Sequence, residues 1–155
     1  MTNPFMQRAI ELSIENVEKR KGGPFGAVVV KDNRILAEGT NSVVLNSDPT
    51  AHAEIVAVRE ACRKLQTFQL TGCEIYSSCE PCPMCLAALY WARPAKIFFA
   101  GTRDDAAKIG FDDTYIYAQL MLPVERRAIP MMQLMRDHAQ EAYRLWAVKP
   151  DKQRY

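Results

Sequence analysis

Apolar residues recur at helical spacing at Met6, Ile10, Ile14 and Val17, behind Asn3-Pro4 and ahead of Lys19-Arg20-Lys21-Gly22-Gly23-Pro24. A capping asparagine, a proline in the first turn and glycines after the last apolar position delimit a helix with one buried face. The pattern then changes to that of strands. Residues 26–31 and 35–39 are short apolar or β-branched runs joined by Asp32-Asn33, two residues that tolerate positive φ, which predicts a tight antiparallel hairpin. Asp48-Pro49 reads as a second cap-then-proline start, with Ile55, Val58, Cys62 and Leu65 as the buried stripe and His52 and Glu54 in the first turn. A third strand is predicted over 74–77, a third helix over 83–91 opened by Pro83, and a fourth strand over 96–100, with Arg93-Pro94 stopping the helix between them. The order α-β-β-α-β-α-β predicts a mixed sheet with helices on its faces, a layered α/β architecture. Beyond Gly101 the periodicity weakens: 104–109 reads as a short helix, 129–135 as a methionine-rich strand or helix, and 138–148 as a final helix carrying Tyr143 and Trp146.

At 155 residues, 48% hydrophobic and 25% charged, the chain has material for one ordinary domain and its core, which excludes a disordered tail or a stapled mini-protein. The absence of repeats and of Gly/Ser linkers agrees with a single domain over residues 1–155. A net charge of +2 is too balanced to advertise a nucleic-acid or membrane surface by charge alone. Residues 1–20 carry Arg8, Glu11, Glu15, Glu18, Lys19 and Arg20 and have no apolar core of the export-signal kind. No apolar run approaches the ~20 residues of a membrane-spanning helix. Five cysteines, an odd number with three crowded at Cys79, Cys82 and Cys85, suit metal chemistry better than a disulfide framework, so a cytoplasmic location is expected.

Two segments carry the chemistry: Thr50-Ala51-His52-Ala53-Glu54 and Cys79-Glu80-Pro81-Cys82-Pro83-Met84-Cys85. Each begins a predicted helix. Cys82 at the N-cap and Cys85 one turn on can aim both sulfurs at one point, where the helix dipole and free amides favour thiolate. His52 at the mouth of the other helix supplies a third ligand if the two helices lie side by side. One histidine and two cysteines leave a tetrahedral zinc with one open corner, where water ionises to hydroxide near pH ~7. Glu54, two residues beyond the histidine, can move that water's proton to a substrate nitrogen without binding the metal. The combination H-x-E with P-C-x-x-C is the signature of zinc nucleobase deaminases. Two structural readings stand beside it: Cys79 closing the fourth corner, and a zinc-stabilised binding module without turnover. Cys62 and Cys73 read as buried small hydrophobes.

With these motifs the chain resembles the cytidine-deaminase-fold family of zinc deaminases, and within it the branch that deaminates guanine. Further segments carry the resemblance: Gly22-Gly23-Pro24-Phe25-Gly26-Ala27, Asn41, Tyr90-Trp91-Ala92-Arg93-Pro94, Gly110-Phe111-Asp112-Asp113 and Tyr155. The resemblance implies a three-layer α/β/α sandwich around a mixed five-stranded sheet, and hydrolysis of guanine to xanthine and ammonia with Glu54 as proton shuttle. It implies that Asn41 and Asp113 hydrogen-bond the base, that Phe25 and Trp91 pack on its flat face, that Ala53 also contacts it, and that Tyr155 closes the pocket. It further implies a homodimer in which residues from about 123 to 155 cross to the partner subunit. Deaminases of adenosine in tRNA and of cytosine share the zinc chemistry and stay open as alternatives. For the RNA substrate, Lys19-Arg20-Lys21, Arg126-Arg127 and the basic tail would have to meet phosphate.

Overall fold

The computed structural model describes residues 2–154. They fall into two compact units, one ending at Asp113 and one beginning at Thr114. The first unit opens with α1 (Pro4–Glu18), where the Asn3 side chain accepts the amides of Phe5 and Met6 and Pro4 needs no partner for its nitrogen. Strands β1 (Gly26–Lys31) and β2 (Arg34–Thr40) form the expected hairpin, and Asp32 and Asn33 take φ of 48° and 58°. A short helix α2 (Val43–Asn46) precedes α3 (Ala53–Leu65). Then follow β3 (Glu74–Cys79), α4 (Pro83–Ala92), β4 (Lys96–Gly101) and α5 (Arg103–Lys108).

The sheet runs β2-β1-β3-β4, with β1 antiparallel to both neighbours and β3 parallel to β4. It is mixed, as the pattern of a hairpin followed by strand–helix alternation requires. Alternating side chains of β1 serve two cores. Val28 and Val30 join Tyr76 against Ala9 and Leu12 of α1, while Ala27 and Val29 join Ile75 against Ala53, Ala57 and Ala61 of α3 and Leu89 of α4. Helices therefore cover both faces. Gly39 lets α3 come down onto β2, because a Cβ there would collide with the Ala53 carbonyl and the Ala57 amide. That close approach sets the height of the first turn of α3, which carries the chemistry.

Two expectations are corrected. The sheet has four strands among the described residues, not five: residues 129–135, the remaining candidate strand, form neither strand nor helix. Pro130 lacks the amide a ladder needs, and flexible methionines replace the β-branched residues that stiffen strands. The second correction moves the start of α3. Asp48 spends its Oδ1 on the Thr50 amide and hydroxyl, closing a local turn, and the helix begins only after His52, its N-cap.

The second unit holds α6 (Thr114–Met121), a 3₁₀ turn (Val124–Arg126) and α7 (Arg136–Val148). Large apolar side chains within it stay exposed, including Met132, Leu134, Tyr143 and Trp146. No helix among the described residues is long and apolar enough to cross a membrane.

Candidate functional site

The ends of two neighbouring helices build the site. His52 occupies the N-cap of α3 and Cys82 that of α4, where its sulfur accepts the Cys85 amide at 3.5 Å. Cys85 lies one turn into α4 and is fully buried. His52 Nδ1 is 3.5 Å from Cys82 Sγ. Among the described residues, His52, Cys82 and Cys85 form the group whose donor atoms all lie within 4.8 Å of one another. Donors of a tetrahedral zinc stand about 3.5–3.8 Å apart for its usual Zn–S and Zn–N lengths, so this set has the scale and the chemistry for that ion.

The charges agree. Cys82 is pulled down to about 4 by the neighbouring Cys85 thiol and by His52, while the Cys82 sulfur beside it and burial push the Cys85 thiol far up. Two sulfurs thus hold one proton between them, a donor pair that a dication relieves. His52 is raised by its hydrogen bond with Cys82.

Glu54 follows in the first turn of α3, almost wholly buried. Its Oε1 accepts from the Ser77 hydroxyl at 3.1 Å and its Oε2 from the Cys85 thiol at 3.4 Å. Burial raises its pKa. Glu54 stands beside the three donors without belonging to their group, the place a proton carrier needs. Cys79 is also outside that group: its thiol donates to the Thr102 carbonyl at 3.6 Å, and burial lifts it to about 11. The Cys₃His reading therefore finds no support in the geometry.

His52, Glu54 and Cys82 open into a pocket of about 290 Å³ that Phe25, Asn41 and Asp113 also line. Asp113 is raised by burial and by the charge of Cys82. Phe25 is braced edge-on by Phe111, ring centroids 4.9 Å apart at 88°. Phe111, Arg103 and the apolar pair Val43 and Val44 line the pocket as well. From the sequence Phe111 enters only as part of the segment 110–113 of the resemblance, and Arg103, Val43 and Val44 have no role, because each reads as an ordinary core, cap or loop residue until the chain is folded. Two further expected contacts stand outside this lining. Trp91 sits in the last turn of α4, at the far end of the helix from Cys82, and is 63% exposed. Ala53 turns its side chain into the core beneath α3. Tyr155 lies outside the described residues.

Residues 2–101 match the family described as the cytidine and deoxycytidylate deaminase zinc-binding region. Over 151 residues the chain is 48% identical to guanine deaminase of Bacillus subtilis, covering 97% of each protein. A solved structure of guanine deaminase from Bacillus subtilis superposes with a TM-score of 0.96 at 47% identity, over 100% of this chain and 99% of that one. A tRNA-specific adenosine deaminase of Aquifex aeolicus is 49% identical over 77 residues, 50% of this chain and 51% of its own.

Proposed function

We infer the activity from one premise: the chain belongs to the cytidine and deoxycytidylate deaminase zinc-binding family. It is a zinc-dependent aminohydrolase that converts guanine and water to xanthine and ammonia. The observation that carries this reading is the likeness to guanine deaminase of Bacillus subtilis along 97% of both chains, pocket and second unit included. The tRNA-specific adenosine deaminases match a smaller share of the chain, 50% for that of Aquifex aeolicus and 70% for that of Haemophilus influenzae.

His52, Cys82 and Cys85 hold the zinc, which when bound acidifies and orients the attacking water. Glu54 takes a proton from that water as it adds to the carbon bearing the exocyclic amine, and returns it to the amine as the C–N bond breaks and ammonia leaves. Its buried, raised carboxyl suits both directions of transfer. The Ser77 hydroxyl holds that carboxyl at Oε1, so it can turn only slightly between donor and acceptor. Asp113 offers acceptors to the ring and amine hydrogens of guanine, Asn41 completes the polar edge, and Phe25 covers the flat face. Burial makes each unmatched polar group costly, so bases with a different donor pattern are rejected.

An ammonia-release panel on the purified protein tests the substrate. Guanine is expected to turn over at least about 10²-fold faster than cytosine, adenine, guanosine or an adenosine-bearing RNA hairpin, the discrimination a hydrogen-bonding site can supply. Faster release from any of the others removes the guanine assignment.

The partner is a second copy of this chain, and residues from about 123 to 155 cross to it so that Tyr155 caps the neighbour's pocket. Support comes from exposed apolar surface: Met132, Leu134 and Trp146 in the second unit, and Phe98 and Phe99 on the edge strand β4. Mixing a Glu54→Gln protein with one truncated before Tyr155 is expected to restore up to about a quarter of normal activity, since random pairing forms one complete site in half of the dimers. Two inactive parents giving an inactive mixture after subunit exchange counts against the crossing.

A further inference from the structure

We propose that Asn16 is a positioning residue, holding the backbone that presents the Asn41 side chain to the pocket. The inference rests on the reading of that pocket as the base-binding site. Asn16 lies near the end of α1 and is 2% exposed. Its Nδ2 donates to the Gly23 carbonyl at 2.8 Å and to the Asn41 carbonyl at 2.9 Å, so both amide hydrogens are used. From the other side, the Gly23 amide donates to Asn41 Oδ1 at 3.3 Å. The Asn41 amide donates to the Phe25 carbonyl at 3.1 Å, and the Phe25 amide donates to the Gly23 carbonyl at 2.8 Å. The result is a closed ring of hydrogen bonds through Asn16, Gly23, Phe25 and Asn41. Gly22 is part of the fit, because a Cβ there would collide with the Asn41 carbonyl.

Two features separate this from ordinary packing. Asn16 Oδ1 is buried and has no hydrogen-bond partner among the described residues. An orphaned buried acceptor is a penalty that an apolar residue of similar size avoids, so Asn16 stands here for its two donors. Both donors end on segments that line the pocket. The ring also fixes which end of the Asn41 amide meets the base. Gly23 N–H must face an acceptor, so Oδ1 is committed to it, and among the described residues none accepts from Asn41 Nδ2. Asn41 therefore offers hydrogens, and the matching position on the base is an acceptor, a ring carbonyl or unprotonated ring nitrogen. Asp113, when ionised, offers the opposite polarity, and the pair reads one donor edge and one acceptor edge.

The test is a double-mutant cycle on the full chain with zinc, using Asn16→Ala, Asn41→Ala and both together. The base is whichever one the wild-type protein turns over fastest, so a failed guanine assignment shows in the wild type before any variant is read. Asn16→Ala is expected to lower kcat/KM about tenfold, mainly through KM, as for loss of one hydrogen bond's worth of alignment. In the Asn41→Ala background the same change is expected to alter kcat/KM by less than about twofold, while Tm falls equally in both backgrounds. Equal losses of kcat/KM in the two backgrounds overturn the proposal, because Asn16 then acts through stability alone. Should Asn16→Ala not fold, Asn16→Ser, which keeps one donor, carries the cycle. A readout without turnover stands beside it: hydrogen exchange at the Gly23 amide is expected to quicken in either Asn16 variant, and unchanged exchange there overturns the proposal equally.

Discussion

Replacing Glu54 by glutamine is expected to lower kcat for ammonia release by about 10²–10⁴-fold, the range spanned by positioned acid–base groups, while zinc content and melting temperature stay near wild type. The substitution keeps the shape of the side chain. A glutamine carbonyl oxygen can still accept from the Ser77 hydroxyl, now 3.1 Å from Oε1, so the buried network that holds the first turn of α3 survives. The metal donors survive too, because Glu54 is outside the group formed by His52, Cys82 and Cys85. What is lost is a group that can take a proton from water and give one to nitrogen in the same turnover. Burial has already raised the Glu54 carboxyl above the ordinary value, bringing it closer to neutral pH, where both transfers are easiest. Elemental analysis for zinc, a thermal melt and steady-state ammonia release together check the result. A variant with full metal and a kcat within about tenfold of wild type would remove Glu54 from the proton path. It would also revive the zinc-stabilised binding module, which needs no carboxylate at this position.

The first unit was legible in the sequence because its signals are local. Pro4 behind Asn3, Asp32-Asn33 in the hairpin and Pro83 behind Cys82 each fix backbone angles or cap amides within a few residues of themselves. The donor triad was legible for the same reason: each half sits at a helix start, and only their meeting required the fold. Asp48 was misleading because a side-chain oxygen that can cap a helix can equally close a turn, and here Thr50 offers it both an amide and a hydroxyl. Trp91 stands nine residues, roughly 13 Å, along the α4 axis from Cys82, so its contact with the base rests on likeness alone. Residues 129–135 read as a strand or helix and form neither, since an apolar run with a proline and flexible methionines satisfies no period, and its apolar side chains remain exposed. Asn16 was invisible for a different reason. Its partners Gly23 and Asn41 are backbone carbonyls brought together by the chain's return through β1 and β2.

Zinc uptake by chelator-stripped protein is expected to strengthen with pH by about tenfold per unit around neutrality, through the release of one proton from Cys85. The sign follows from the donor set. Cys82, held down at about 4, is already thiolate at pH 7 and releases nothing. Cys85, pushed up by the Cys82 sulfur and by burial, keeps its proton until a dication displaces it. His52 is raised by its bond with Cys82, so any fraction still protonated adds to the release and acts in the same direction. Competition against a fluorescent zinc chelator at pH 6.5, 7.0 and 7.5 measures the slope. Calorimetry in two buffers of different ionisation enthalpy counts the protons. Ammonia release is expected to fall to background on stripping and to return with added zinc. Cys85→Ala is expected to lose most of its zinc affinity, because two donors cannot enclose the ion, and its activity is expected to fall with its metal content. A pH-independent affinity would mean that both sulfurs are already ionised in the folded protein. The shared proton between Cys82 and Cys85 would then be ruled out, and with it the argument that the fold holds this pair ready for a dication.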